Sequence, residues 1–194
     1  MNNRIDRLLL GSLLLSLAAC QTGRPSLPTG IYKNSAAFRR QQPSLAGSGA
    51  GQVFLARKLY VRNPPGRAER RTKVPLDSAW GYAGADRGAY RIFRRVAYRV
   101  EQPDTLAIYS RVVSNGKSTS TIYYFSSGLD GPVIRLSRRK LRQAFANNPP
   151  TLNSFQTLKW YQSLDHFDRT PQGRRFRLVA LYRQSLGLPA ASLR

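Results

Sequence analysis

The sequence predicts an α+β fold: an antiparallel β-meander of about five or six strands, followed by about three C-terminal helices packed on one of its faces. Three observations predict it. Apolar residues recur at every second position through "VAYRV", "TLAIYSRVV" and "STSTIYYFS", as half-buried strands require. Asn115-Gly116 stands between the last two runs, and this dipeptide is the strongest short-range hairpin signal. From Ser137 onward the apolar spacing changes to three and four, the period of a helix with one buried stripe.

The first element along the chain is a targeting segment. Leu8 to Ala19 is uncharged and twelve residues long. As a helix it spans roughly 18 Å at about 1.5 Å per residue, short of a hydrocarbon core of about 30 Å. Arg4 and Arg7 precede it and small residues end it, the layout of a secretory signal peptide, with Asp6 as a blemish. Leu17-Ala18-Ala19-Cys20 resembles the lipobox of bacterial lipoproteins. The resemblance implies a diacylglycerol on the Cys20 thiol and cleavage between Ala19 and Cys20. An ordinary signal peptide cut nearby is the alternative. Two acyl chains, at about 0.8 kcal/mol per buried methylene, anchor a protein stably. In lipoproteins of other diderm bacteria an Asp after the cysteine retains the protein in the inner membrane; here Gln21 follows, so the expected address is the outer membrane, facing the periplasm.

Residues 20–29 read as a tether, 30–186 as one α+β domain and 187–194 as a frayed tail. Ser35 is expected to cap a short helix ending before Pro43. "AGSGAG", 46–51, reads as a flexible loop, and "QVFLARKLYVR", 52–62, as a strand. "NPPGRAERRTK", 63–73, reads as an exposed basic loop. "SAWGYAGADRGAYRIF" puts a glycine-rich turn, 84–88, between two short aromatic strands. In "VAYRV" the alternation points Val96, Tyr98 and Val100 inward and Ala97 and Arg99 outward. The weakest joint is Arg94-Arg95, which is poor tight-turn chemistry. Ser137 caps the first C-terminal helix, with Leu141 and Phe145 on its buried face and a stop at Asn148-Pro149. Leu152, Phe155 and Leu158 mark the second helix. Phe176, Val179 and Tyr182 or Arg183 mark a third, in "GRRFRLVALYRQS".

Composition bounds what this domain does. Without the first nineteen residues the chain holds 30 basic and 8 acidic residues, a net +22. Codon bias toward arginine cannot account for so few acids, and such charge favours polyanions and anionic membrane surfaces. Cys20 is the only cysteine, so no disulfide staples the fold and burial must stabilise it. The basic clusters with candidate anion-contacting residues are Arg67, Arg70 and Arg71; Arg138, Arg139 and Arg142; and Arg174 and Arg175. Nearby aromatics give them the look of nucleic-acid binders, but secretion argues against that partner. Anionic lipid, lipopolysaccharide or a protein partner fits better.

Catalytic motifs are missing. The one histidine, His166, lies in "SLDHFDRT", where Asp165 and Asp168 read better as caps of a turn than as a catalytic relay, since no nucleophile motif accompanies them. No cofactor or metal spacing is present. "GYAGADRG" lacks the ending of a phosphate loop and reads as a hairpin turn. Paired carboxylates acting on envelope polymers are the alternative function.

Three stretches carry a resemblance. "GIYKNSAAFRRQQP", "WGYAGADRGAYRIFRRVAYRVEQPDTLAIYSR" and "YYFSSGLDGPVIRLSRRKLRQAFANNP" are similar to the GIY, WGY and YYF aromatic-glycine patterns of a set of uncharacterised secreted bacterial lipoproteins. The likeness covers most of residues 30 to 160. It implies a shared fold and an envelope location and brings no catalytic residues.

Overall fold

The structure, a computed structural model, describes residues 27–53, 58–63, 71–158, 163–170 and 173–189. The signal segment, Cys20 and its lipobox, and Arg67 and Arg70 lie outside the described residues.

The fold is mixed α+β, built on a large antiparallel sheet. Its strands are β1 (Gly30–Tyr32), β2 (Leu45–Ala46), β6 (Gly81–Ala83), β7 (Ala89–Phe93), β8 (Val96–Gln102), β9 (Leu106–Ser114), β10 (Thr119–Ser127) and β11 (Ile134–Arg135). These eight lie in the order β11-β10-β9-β8-β7-β6-β1-β2. A three-stranded sheet of β3 (Ser48–Val53), β4 (Lys58–Arg62) and β5 (Arg71–Pro75) is separate, as is a hairpin of β12 (Phe167–Thr170) and β13 (Gly173–Phe176). The four helices of the described residues are α1 (Ser35–Arg39), α2 (Arg138–Ala144), α3 (Pro149–Gln156) and α4 (Arg177–Ser185). The α+β class with a large antiparallel sheet matches the expectation, but the strand count differs: β1, β2 and β11 are added, and the strand expected over 52–62 is divided between β3 and β4 of the separate sheet.

Strand alternation splits the large sheet into two faces. On the inner face Ile31, Tyr82 and Ile92 meet Leu59, Val61 and Val74 of the small sheet. Farther along the same face, Leu106, Ile108 and Phe125 meet Leu141, Phe145, Phe155, Val179 and Tyr182 of the C-terminal helices. The helices therefore cover half of one face and the small sheet the other half. On the outer face Tyr32, Ala83, Ala107 and Tyr109 pack with Phe38 of α1 and with Leu129.

Several local expectations are corrected. Asn34, not Ser35, caps α1, accepting the Ala37 amide at 2.8 Å. "AGSGAG" is not a loop: it ends β2 and starts β3, which pairs with β4 from Ser48 to Val53. Tertiary pairing overrides the weak strand propensity of Gly and Ser there. The end of the expected basic loop, from Arg71, is strand β5, in register with β4 through Val61↔Thr72. The third helix starts at Arg177; "GRRF" before it is β13, whose Phe176 amide donates to Gln102 Oε1 at 2.9 Å. Asp168 is a strand residue opposite Arg175 rather than a cap. In β8 the sides are reversed: Ala97 packs with the small-sheet cluster, while Tyr98 and Val100 lie on the outer face. Residues 187–189 are hydrogen-bonded, the Leu188 amide donating to the Arg183 carbonyl and closing α4 after Gly187, which has φ +66°; the rest of the expected tail, 190–194, lies outside the described residues.

Arg94-Arg95 forms the β7–β8 turn despite its chemistry, with φ of 49° and 65°. Both positive values suit the twist of a two-residue hairpin, and each costs a non-glycine residue on the order of 1 kcal/mol. Arg95 is tied to Asp77 by an exposed ion pair at 3.0 Å. By contrast, Asn115-Gly116 behaves as read: Asn115 Oδ1 accepts the Lys117 and Ser118 amides at 3.1 and 2.8 Å, and Gly116 has φ +83°.

The glycine-rich turn 84–88 is organised by Asp86. Its carboxylate accepts the Gly88 amide at 3.1 Å and the Tyr90 hydroxyl at 2.6 Å, and Tyr90 stacks on Tyr82 with centroids 4.9 Å apart. Burial pushes the Asp86 carboxyl up, but Tyr90, the Gly88 amide and the Arg99 charge together hold it below its ordinary value. Burial and the same hydrogen bond push Tyr90 up to about 12. A carboxyl lowered on folding stabilises the fold above its unfolded pKa, and that contribution is lost as pH falls through the folded value. Asp86→Asn is therefore expected to cost below about 1 kcal/mol at neutral pH, with the difference in melting temperature closing as pH drops through and below the usual carboxylate range. A difference independent of pH would contradict this account.

Candidate anion-binding surface

The basic residues singled out in the sequence are spread over different elements. Arg71 lies on β5 with its guanidinium 5.5 Å from the Tyr60 ring centre. Arg138, Arg139 and Arg142 share α2; Arg138 donates to the Leu158 carbonyl at 3.2 Å, while Arg139 and Arg142 are exposed. On β13, Arg174 is bound to Glu101 at 3.5 Å and lies 4.7 Å over Phe167, and Arg175 faces Asp168 in register. The groups thus occupy the small sheet, one helix and one hairpin, and Arg174 is partly neutralised.

A second set of arginines, from separate segments of the sequence, is gathered by strand register. Directly paired residues of antiparallel strands share a face. Arg91 pairs with Tyr98 across β7–β8, Val100 with Tyr109 across β8–β9, and Arg111 with Ile122 across β9–β10. Tyr124 pairs with Tyr109 on one side and Arg135 on the other. All of these lie on the outer face. Tyr98 and Tyr124 meet edge to face with centroids 4.8 Å apart, and Arg94 covers the Phe93 ring at 5.5 Å. Burial and Tyr124 push the Tyr98 hydroxyl up, against the lowering fields of Arg111 and Arg94. Arg94, Arg111 and Arg135 are exposed and the tyrosines half-buried.

No acid opposes them on these strands. Glu101 is the only carboxylate in the strands β6 to β11, and alternation after the outward Val100 turns it inward, where it accepts from Ser110 at 2.6 Å. At the deep end of this face lies Arg91, only 4% exposed. It donates to the Tyr109 hydroxyl at 2.9 Å, to Ser126 Oγ at 3.2 Å and to the Gly131 carbonyl at 2.7 Å. Its Nε has no hydrogen-bond partner. Trp80, Phe93 and Tyr109 rings surround the guanidinium at 6.0, 5.5 and 5.5 Å.

Six of the seven described carboxylates are held elsewhere, and the seventh, Asp168, stands on β12 opposite Arg175. Asp77, Glu101, Asp104 and Asp130 are paired with Arg95, Arg174, Arg183 and Arg39. Asp86 accepts from Tyr90 and Asp165 from Ser163. His166 is exposed in the turn before β12. Among the described residues no group of three or more His, Cys, Asp or Glu is placed to hold a metal.

A cleft of about 650 Å³ opens beside Leu27, with Phe38, Leu129, Tyr182 and Leu186 in its lining. Asp104 stands in its wall and is tied to Arg183 at 2.8 Å, the two side chains being 5% and 18% exposed. Leu27 itself packs against the outer-face cluster, at the end of the sheet near Thr105 and Leu129. The chain therefore enters the described domain on the face that carries the uncompensated arginines.

Compared with known proteins, the chain matches no family model, no curated protein and no solved structure.

Proposed function

We propose that this chain is a bacterial envelope lipoprotein, anchored through acylated Cys20, whose basic domain binds anionic envelope material and carries out no reaction of its own. The observation that carries the binding part is the distribution of charge. Four of the seven described carboxylates are paired with Arg39, Arg95, Arg174 and Arg183, while Arg94, Arg111 and Arg135 share a strand face free of acids. Opposed cations lose most of their field to their partners; unopposed ones raise the local potential and attract anions. The anchoring part is supported by the Leu17-Ala18-Ala19-Cys20 pattern after a short apolar run, and Gln21 supports the outer membrane, on its periplasmic side. The likeness to secreted lipoproteins with aromatic-glycine patterns supports the same address. Carboxylates engaged with arginines and hydroxyls favour this reading over hydrolysis of envelope polymers.

The anchor has a direct test. Cells expressing the full chain and fed a labelled fatty acid are expected to label it, and Cys20→Ser is expected to abolish the label and the acylated mass at the mature terminus. An unacylated wild-type terminus would end the lipoprotein reading.

A further inference from the structure

We infer that the outer face of the large sheet, centred on Tyr98 and Tyr124 and ringed by Arg94, Arg111 and Arg135, is a docking surface for an anionic phospholipid bilayer. The inference rests on the proposed function, and it names the surface and the partner that the charge selects.

Three features fit a bilayer better than a soluble polyanion. The face is amphipathic. Phe93, Val96, Val113 and Ile122 are half-buried at the register positions around the tyrosines, so apolar area and cations are presented together. Tyrosine is favoured at the headgroup level of membranes, where its ring is apolar and its hydroxyl wet. Arginine side chains reach phosphate while their stems cover apolar surface. The second feature is electrostatic: three exposed guanidiniums, with the buried Arg91 behind Tyr98, meet no acid on β6–β11 that faces the same way. The third is the tether. Leu27 packs on this face, and Cys20 precedes it by seven residues, a span of at most about 25 Å fully extended. An acyl anchor at Cys20 would hold the outer face within reach of the leaflet that contains it.

The effect expected is large for so small a patch. Each basic residue near an anionic leaflet raises partition about fivefold, so the three together contribute roughly a hundredfold. The attraction is screened as ionic strength rises.

The full chain carrying Ile122→Cys, labelled with a thiol-reactive dye, provides the test. It is reconstituted in vesicles of phosphatidylcholine alone or of phosphatidylcholine with phosphatidylglycerol, each doped with a headgroup-linked nitroxide lipid. Quenching is expected in the phosphatidylglycerol vesicles, with emission recovering on addition of salt. A dye at Lys73→Cys, on the small sheet, is expected to stay bright. Arg94→Gln with Arg111→Gln and Arg135→Gln is expected to weaken the quenched state about a hundredfold, whereas the charge-matched Arg139→Gln, Lys140→Gln and Arg142→Gln on α2 leaves it. Melting temperatures report folding of each variant; should the first triple variant fail to fold, the salt and lipid dependence of the Ile122→Cys chain decides alone. Quenching indifferent to lipid charge and salt, or lost equally with the α2 variant, overturns the proposal. So does a dye shielded by a soluble acidic polysaccharide but not by lipid, which would make the partner a glycan. The same labelling separates the two readings. One dye per chain means that the Cys20 thiol is blocked; two mean that the anchor reading fails, while quenching of chain added to the vesicles still reports on the face.

Discussion

Phe145→Ala is expected to remove about 3–5 kcal/mol of folding stability, lowering the melting temperature by about 10 °C for a domain of this size. The side chain is 7% exposed and joins three layers. Its ring lies 6.2 Å from Phe125 on the sheet, 5.6 Å from Phe155 on α3 and 5.2 Å from Tyr182 on α4. Truncation leaves a cavity that cannot collapse without moving a helix off the sheet, because interiors are packed at crystal-like density. The helices are short, α2 spanning Arg138–Ala144 and α3 Pro149–Gln156, so little of their stability is intrinsic. Differential scanning calorimetry of the two chains checks this. A shift of only about 2 °C, corresponding to under roughly 1 kcal/mol, would mean that the helices do not depend on the sheet for order.

Arg91→Lys is expected to be the other costly change, at about 3 kcal/mol, and more damaging than Arg91→Met. The guanidinium fork satisfies Tyr109, Ser126 and Gly131 at once, and it is weakly hydrated and stacks on rings. An ammonium in its place keeps the buried charge, is more strongly hydrated and cannot copy the planar fork. Methionine removes the charge and fills most of the volume. It orphans the Gly131 carbonyl, a loss of about 1–3 kcal/mol, but leaves Tyr109 and Ser126 bonded to each other at 2.9 Å. With no carboxylate among the partners that hold Arg91, the charge is a burden that the hydrogen bonds offset. Urea midpoints for the two variants rank them; a lysine chain more stable than the methionine chain would show that the positive charge itself is stabilising.

What the sequence revealed and what it hid divide along physical lines. Signals carried by neighbours in the chain were legible: Asn115-Gly116 makes its hairpin, Ser137 caps α2 by accepting the Lys140 amide, and the turn at 84–88 lies between β6 and β7. Elements imposed by distant partners were not. Ser48–Val53 is a strand because β4 pairs with it, and Arg94-Arg95 turns because β7 and β8 zip on either side of it. "GRRF" reads as helix because Phe176 and Val179 happen to fit a helical spacing, yet β12 captures the segment. The candidate surface was hidden for the same reason. Arg94, Arg111 and Arg135 reside in three separate segments, and only the register brings them together. Conversely, "SRRKLR" is conspicuous on the page because its charges are neighbours on one short helix.

One border of the large sheet is β2, only two residues long. A strand so brief offers too few free amides and carbonyls for another chain to zip onto. A protein concentrated in two dimensions meets copies of itself far more often than in solution, and end-to-end sheet growth is the hazard that follows. For a chain anchored as proposed, the stubby β2 margin would limit that growth at one border.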